Sequence, residues 1–334
     1  MRQTLFAIVL VGLVFSNGFC QQIPLYTQYL FDPYLINPSR IATENRAEVN
    51  LLYNRQWTGI QDSPETMQAD VQYPVNDRIA LGLNIYEDRT VIMSNTSAMG
   101  TFGYKVPLGD DQLLGFGLSG GFTSRRLRFD ELSEKDLNDP ALYSLGHNNI
   151  RFNSQFGVHY TNKKLTVGFA LLQLVDNDSY SLERPNTKSF NALRHVTVHS
   201  SYEFPLSDGV TAQPSVAYMF SYDKMNPEAN QNYLETSLIF SFKDALQVGG
   251  GYRQYLGPLM MARFRVRDFE VGYAYGFPST YARVSVGSTS EIQLKWFFGK
   301  EKELEKGEPD IYEEYNRLLR KIRQQTRKYR RMAE

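Results

Sequence analysis

Four histidines, His147, His159, His195 and His199, are the side chains of this sequence best suited to holding a metal or moving a proton. His195 and His199 stand four apart, a spacing that on a helix puts two imidazoles on one face. Their neighbours alternate instead: Val196, Val198, Ser200, Tyr202 and Phe204 on one side, His195, Thr197 and His199 on the other. On a strand, at ~3.3 Å per residue, the pair is ~13 Å apart and cannot share one ion. A hydrolytic Ser–His arrangement needs both groups on one side, and Ser200 falls on the face opposite His199. His159 with a serine from another strand is the remaining pairing of that kind. The glycines of Gly115-Phe116-Gly117 and Gly120-Gly121 are dense enough for a phosphate-cradling loop. No helical pattern follows them, so they are expected to relieve crowding within a strand. The single cysteine, Cys20, excludes a disulfide framework and a cysteine-based zinc site. No catalytic, cofactor or metal site is therefore expected from these residues.

The elements around these residues are strands. The 334-residue chain balances 36 Lys+Arg with 36 Asp+Glu, which excludes a wholly basic nucleic-acid binder and a wholly acidic disordered chain. Its 22 Tyr, 21 Phe and 24 Gly suit strands better than helices. Arg2, the apolar run Leu5–Phe15 and the polar exit at Ser16-Asn17 describe a secretory signal peptide over residues 1–20. Eleven apolar residues span only ~16 Å as a helix, too little for a bilayer core of ~30 Å. Cleavage before Gln21 removes the only thiol, as suits a compartment outside the cytoplasm. The alternative, acylation of Cys20, is disfavoured by the bulky Phe19 before it.

From about Val49 to Phe298 apolar and polar residues alternate with period two. Thr66, Gln68, Asp70 and Gln72 interleave with Met67, Ala69, Val71 and Tyr73; Gln293, Lys295 and Phe297 interleave with Ile292, Leu294, Trp296 and Phe298. About fourteen such segments are expected, near 47–57, 65–75, 78–88, 95–107, 112–126, 149–161, 164–174, 192–204, 209–221, 231–243, 245–255, 257–267, 268–278 and 287–298. Tight connections at 75–77, 108–111, 162–163, 205–208, 243–244 and 267–268 alternate with longer ones, notably ~127–148 and ~175–191. A transmembrane barrel sorts its loops in this way, with periplasmic turns at one end and extracellular loops at the other. Such a barrel turns its apolar face to lipid and its polar face to the lumen, and it has no open edge for the bilayer to leave unsatisfied. Tyr73, Tyr104, Tyr160, Tyr202, Phe242 and Phe298 close their segments, where an aromatic girdle would sit. The fold class expected is all-β: a transmembrane antiparallel barrel of about 14 strands with a C-terminal helical extension.

Two motifs carry a resemblance. The first is Pro24-Leu25-Tyr26-Thr27-Gln28-Tyr29-Leu30-Phe31-Asp32-Pro33-Tyr34-Leu35-Ile36-Asn37-Pro38, and the second is Arg55-Gln56-Trp57-Thr58-Gly59-Ile60 with Pro64 and Thr66. In this order, ahead of a many-stranded body, they resemble the PorP/SprF family of type IX secretion system outer-membrane proteins over about residues 21–299. The resemblance implies a non-enzymatic outer-membrane barrel of the secretion and gliding machinery. Such a barrel would help deliver or anchor secreted surface proteins and contact periplasmic components. It hands over no catalytic residues, and it says nothing about residues 300–334. A polar lumen also permits a second reading, an outer-membrane diffusion pore or hydrophobic-substrate transporter.

The chain thus divides into a signal peptide (1–20), an N-terminal periplasmic or lumenal segment (21–44), the barrel (45–299) and a charged tail (300–334). The segment 21–44 has three prolines and four aromatics without alternation, a composition suited to plugging the lumen or packing beneath it. In the tail, Tyr312, Tyr315, Leu319, Ile322, Thr326 and Tyr329 recur at helical spacing, and residues 315–334 hold eight Lys/Arg. With an even strand count both termini are expected in the periplasm. There the tail reads as a docking helix for a periplasmic partner, with Tyr315, Leu319 and Ile322 as its seam and Arg320, Arg323 and Arg327 on its basic face. A solvated tail and a helix lying on anionic lipid are the competing readings. Nucleic acid is excluded by compartment.

Overall fold

A computed structural model describes residues 26–90, 93–109, 111–128, 149–175, 194–222, 231–243, 245–278 and 287–299. The expectations for residues 1–20 and for the tail at 300–334 lie outside the described residues, as does His147.

The body is one antiparallel sheet closed on itself. Its strands are β1 (Ala47–Arg55), β2 (Glu65–Pro74), β3 (Ile79–Arg89), β4 (Met93–Gly109) and β5 (Gln112–Leu127). They continue as β6 (Asn149–Asn162), β7 (Leu165–Leu171), β8 (Arg194–Tyr202), β9 (Phe204–Ser207) and β10 (Val210–Tyr222). The last are β11 (Gln231–Phe242), β12 (Leu246–Arg253), β13 (Gly257–Val266), β14 (Phe269–Gly276) and β15 (Thr289–Phe298). Strands β8 and β9 both pair with β10 and are one stave interrupted at Glu203, so the wall has fourteen staves. Each stave pairs with its neighbour in sequence, and β1 pairs with β15 to close the ring. All fourteen expected segments coincide with staves, differing by a few residues at their ends.

The faces are inverted relative to a soluble sheet. Thr66, Gln68, Asp70 and Gln72 of β2 are buried, whereas Met67, Val71 and Tyr73 between them are 40–50% exposed. The same alternation leaves Leu81, Leu83, Ile85, Phe102, Leu118, Phe264, Val271, Ile292 and Leu294 on the outer surface. An outward apolar band of this kind is stable only against hydrocarbon.

The two ends differ. At one end lie the short connections 75–78, 110–111, 163–164, 208–209, 243–245 and 267–268, together with the start of β1 and the end of β15, where Ala47 faces Phe298. Lys163, Lys243 and Arg267 take positive φ in these turns, and Gly209 does so at +74°, as tight hairpin connections require. The aromatic residues expected as a girdle lie toward this end, with outward rings in contact at Tyr202–Phe204 (4.5 Å), Trp296–Phe298 (5.3 Å) and Phe269–Trp296 (6.3 Å). The opposite end carries the longer connections, including 56–64, 128–148 and 172–193. Two connections there, 90–92 and 254–256, are as short as the turns. The alternation of loop length therefore holds at five of the seven positions at this end.

The residues ahead of β1 form three single 3₁₀ turns, η1 (Gln28–Leu30), η2 (Pro33–Leu35) and η3 (Pro38–Arg40), which are the only helical elements among the described residues. Proline opens η2 and η3, which fixes φ where no N–H is needed. Its frequency stops any turn from growing into a longer helix.

Candidate functional site

Residues Tyr26–Arg46 thread the lumen from end to end, and the polar inner face of the barrel is built around them. At the long-loop end the Glu291 carboxylate accepts from the backbone N–H groups of Thr27 and Gln28, both at 2.8 Å. Arg253, ion-paired with Glu235, donates to the Tyr26 carbonyl at 3.2 Å. One turn further in, Phe31 packs on Ile239, Leu259, Met261 and Ala274. The Arg263 guanidinium lies 5.0 Å from the Phe31 ring centroid and also donates to the Phe31 carbonyl.

Mid-lumen the segment is latched by charge. Asp32 accepts from Asn50 Nδ2 at 2.7 Å and lies 3.5 Å from Lys295 Nζ, which is 3.1 Å from Glu48. Asp70 accepts from Asn50 and Gln72 on the same layer. Carboxylate oxygens of Asp32, Glu48 and Asp70 come within 4.8 Å of one another, a spacing that could hold a cation. Lys295 already bridges two of the three, so the arrangement is best described as an ionic latch between plug and wall.

Beyond the latch, Tyr34 Oη hydrogen-bonds to Thr101 at 2.7 Å, and Thr101 in turn to Ser119. Asn37 Nδ2 is 3.3 Å from the carbonyls of Val158 and Phe169, while its Oδ1 accepts from Ser39 N–H and Oγ. At the turn end Arg40 reaches Thr161, Gln72 accepts from the Ala42 N–H, and Lys105 donates to the Ala42 carbonyl. Arg46 pairs with Asp268 at 2.8 Å.

Space for the plug comes from glycine. Inward-facing Gly82 and Gly103 lie against Ile41, Gly117 against the backbone of Pro38 and Ser39, Gly157 against Asn37, and Gly272 against the Gln28 amide. A Cβ on Gly82 would come 2.6 Å from Ile41 Cδ1. Gly115 and Gly117 thus do relieve crowding within the wall, and what crowds them is His159 and the plug.

The chemistry weighed from sequence resolves accordingly. His159, His195 and His199 face inward, and Ser200 is paired with the lipid-facing Val216. His159 does meet a serine, at 2.9 Å, but that serine is Ser39 of the plug. Ser39 is 1% exposed and its hydroxyl is already given to Asn37, so the pair anchors the segment. The tail residues Tyr315, Leu319, Ile322, Arg320, Arg323 and Arg327 lie outside the described residues. Sequence reasoning missed Glu291, Arg253, Lys295 and Asp32 as plug-holding groups.

The second sequence motif builds the long-loop rim. Gln56 N–H bonds to the Pro64 carbonyl, Trp57 sits at φ +54°, and Thr58 bonds to Ser288 through both backbone (2.9 Å) and hydroxyl (3.0 Å). Beside this clasp opens a cleft whose walls include Gln56, Trp57, Leu256, Pro258, Phe277 and Pro278, with Thr27 in its lining.

The first described residue, Tyr26, is therefore at the end opposite to the start of β1. An even strand count places the ends of the barrel wall together, but the segment ahead of β1 crosses the lumen once more.

The chain is similar in outline to the toluene transporter TbuX of Ralstonia pickettii, at 11% identity and TM-score 0.48 over 79% of this chain and 93% of that one. It is also similar to the toluene transporter TodX of Pseudomonas putida (9%, TM-score 0.43, 84% and 94%) and to Omp33 of Acinetobacter baumannii (9%, TM-score 0.42, 76% and 99%). No curated protein matches. The model of the type IX secretion system membrane protein PorP/SprF family matches residues 18–296, which include nearly all of the barrel and both motifs but not the tail. A closed, lipid-facing barrel with this match belongs to the PorP/SprF family of type IX secretion system membrane proteins.

Proposed function

We propose that this outer-membrane barrel is a non-enzymatic, non-conducting docking component of the type IX secretion machinery. It holds or delivers a secreted surface protein at its long-loop end and meets periplasmic components at its turn end. The observation that supports this most directly is the occupied lumen: Tyr26–Arg46 fill it and are hydrogen-bonded or ion-paired to the wall at every level. A diffusion pore needs a continuous water path, and here the plug, with its Asp32–Lys295 latch and Glu291 cap, stands in that path. The turn end faces the periplasm, as short hairpins do in outer-membrane barrels, and the tail leaves from that end.

The test is conductance with partner capture. The purified full-length protein in planar bilayers should stay silent, and affinity purification from native membranes should bring down a secreted protein and periplasmic components. Stable ohmic conductance by the intact chain, with no partner recovered, would replace this reading by the pore.

A further inference from the structure

The plug has a direction. Glu291 caps the N–H groups of Thr27 and Gln28, and Arg253 holds the Tyr26 carbonyl, all at the long-loop end. Below Tyr26 the lumen is filled by Phe31, Tyr34, Asn37 and Ile41, which are all buried. At the side of Tyr26, strands β12 to β15 are paired along their lengths. The open direction is outward, into the cleft walled by Trp57, Leu256, Pro258, Phe277 and Pro278, in whose lining Thr27 lies.

We propose that this cleft is an interaction surface for the chain's own mature N-terminus: Gln21–Leu25 leave the lumen on the long-loop face, with Ile23-Pro24-Leu25 seated among these side chains. Five residues reach at most ~18 Å when extended, too short to return past a plug that runs the length of the lumen. Their composition matches the surface, since an Ile-Pro-Leu run meets aromatic, leucine and proline side chains while Gln21-Gln22 extend into water. Covalent attachment beside Thr27 holds the run at high effective concentration over the cleft. The two ends of the mature chain then lie on opposite sides of the membrane, with the N-terminus forming part of the surface presented to cargo. This last statement rests on the orientation given under Proposed function.

Single-thiol variants of the full-length protein test each part, because Cys20→Ser leaves a background without cysteine. Gln22→Cys, Gln61→Cys in the long loop 56–64 and Asp208→Cys in a tight turn are labelled on intact cells with a membrane-impermeant maleimide. Gln22→Cys and Gln61→Cys are expected to label on intact cells, and Asp208→Cys only after permeabilisation. Labelling of Gln22→Cys that follows Asp208→Cys, or that needs denaturation, overturns the outward exit. Exchange of the Gln61→Cys and Asp208→Cys results instead overturns the orientation and leaves the exit intact. Seating is read on the purified barrel. Ile23→Cys should react about tenfold more slowly than Gln21→Cys, the protection expected of a segment that opens locally before reaction. Adding Phe277→Ser should close that gap, and equal rates in the parent would overturn the seating.

Discussion

Lys295 shows most clearly how single residues hold this molecule together. Its ammonium sits 6% exposed between Asp32 of the plug and Glu48 of the wall, with Asp70 one carboxylate further on. Removing one partner from a buried ionic set leaves uncompensated charge and costs about 3–5 kcal/mol. Lys295→Met should accordingly lower the temperature at which the compact, fast-migrating form on gels converts to the unfolded one, and Lys295→Arg should recover part of it. Gly117 makes the complementary, steric point. A Cβ there lands on the Pro38–Ser39 backbone, which has no flexible end to yield. Gly117→Val should therefore displace η3 while leaving the outward face of β5 unchanged. The expected result is an assembled barrel with new protease sensitivity between Pro38 and Arg46; an unchanged digestion pattern would show that the plug is not seated against Gly117.

Among the elements, the staves and the plug differ in how far the sequence reveals them. Period-two alternation survives here because each strand has hydrocarbon on one side and buried polar groups on the other, so all fourteen staves were legible. The break between β8 and β9 at Glu203 was not, because it depends on how β10 pairs with both. Nor was the short connection 90–92, where the expected segments 78–88 and 95–107 leave six residues; the one at 254–256 was already implied by the expected segments 245–255 and 257–267. The N-terminal segment was legible as something packed, from its prolines and aromatics, but its partners were not. Glu291 meets Thr27 across 264 positions, a contact that no local pattern encodes. A weaker signal was available: Gly103, Gly115, Gly117, Gly157, Gly168 and Gly272 all fall at inward positions, which marks a wall built to be approached closely. If the plug is what closes the lumen, deleting Tyr26–Arg40 should turn a silent barrel into a conducting one in planar bilayers. Continued silence from a correctly assembled deletion variant would place the seal elsewhere.

At the scale of the whole molecule, the barrel sorts its surfaces by end. Long loops and the Gln56–Trp57 rim occupy one end, while tight turns and the exit of β15 occupy the other. The chain leaves the wall for the tail at the turn end, where Phe298 lies opposite Ala47. If the tail is the docking helix expected from sequence, Arg320, Arg323 and Arg327 should steer a partner of opposite charge and weaken with salt, because surface charges are screened beyond ~8 Å at physiological ionic strength. The seam of Tyr315, Leu319 and Ile322 should supply the salt-resistant part, as buried apolar anchors do in interfaces. Deleting residues 309–334 removes no stave and none of the plug contacts among the described residues, so the barrel should assemble and resist extraction as before. Capture of periplasmic components should fall, and Leu319→Asp with Ile322→Asp should reproduce most of that loss. Because the plug and the long-loop rim are untouched, a secreted protein bound at the far end should still be recovered. Loss of both partners together would mean that the ends are coupled through the lumen, and full retention of both would make the tail a solvated extension.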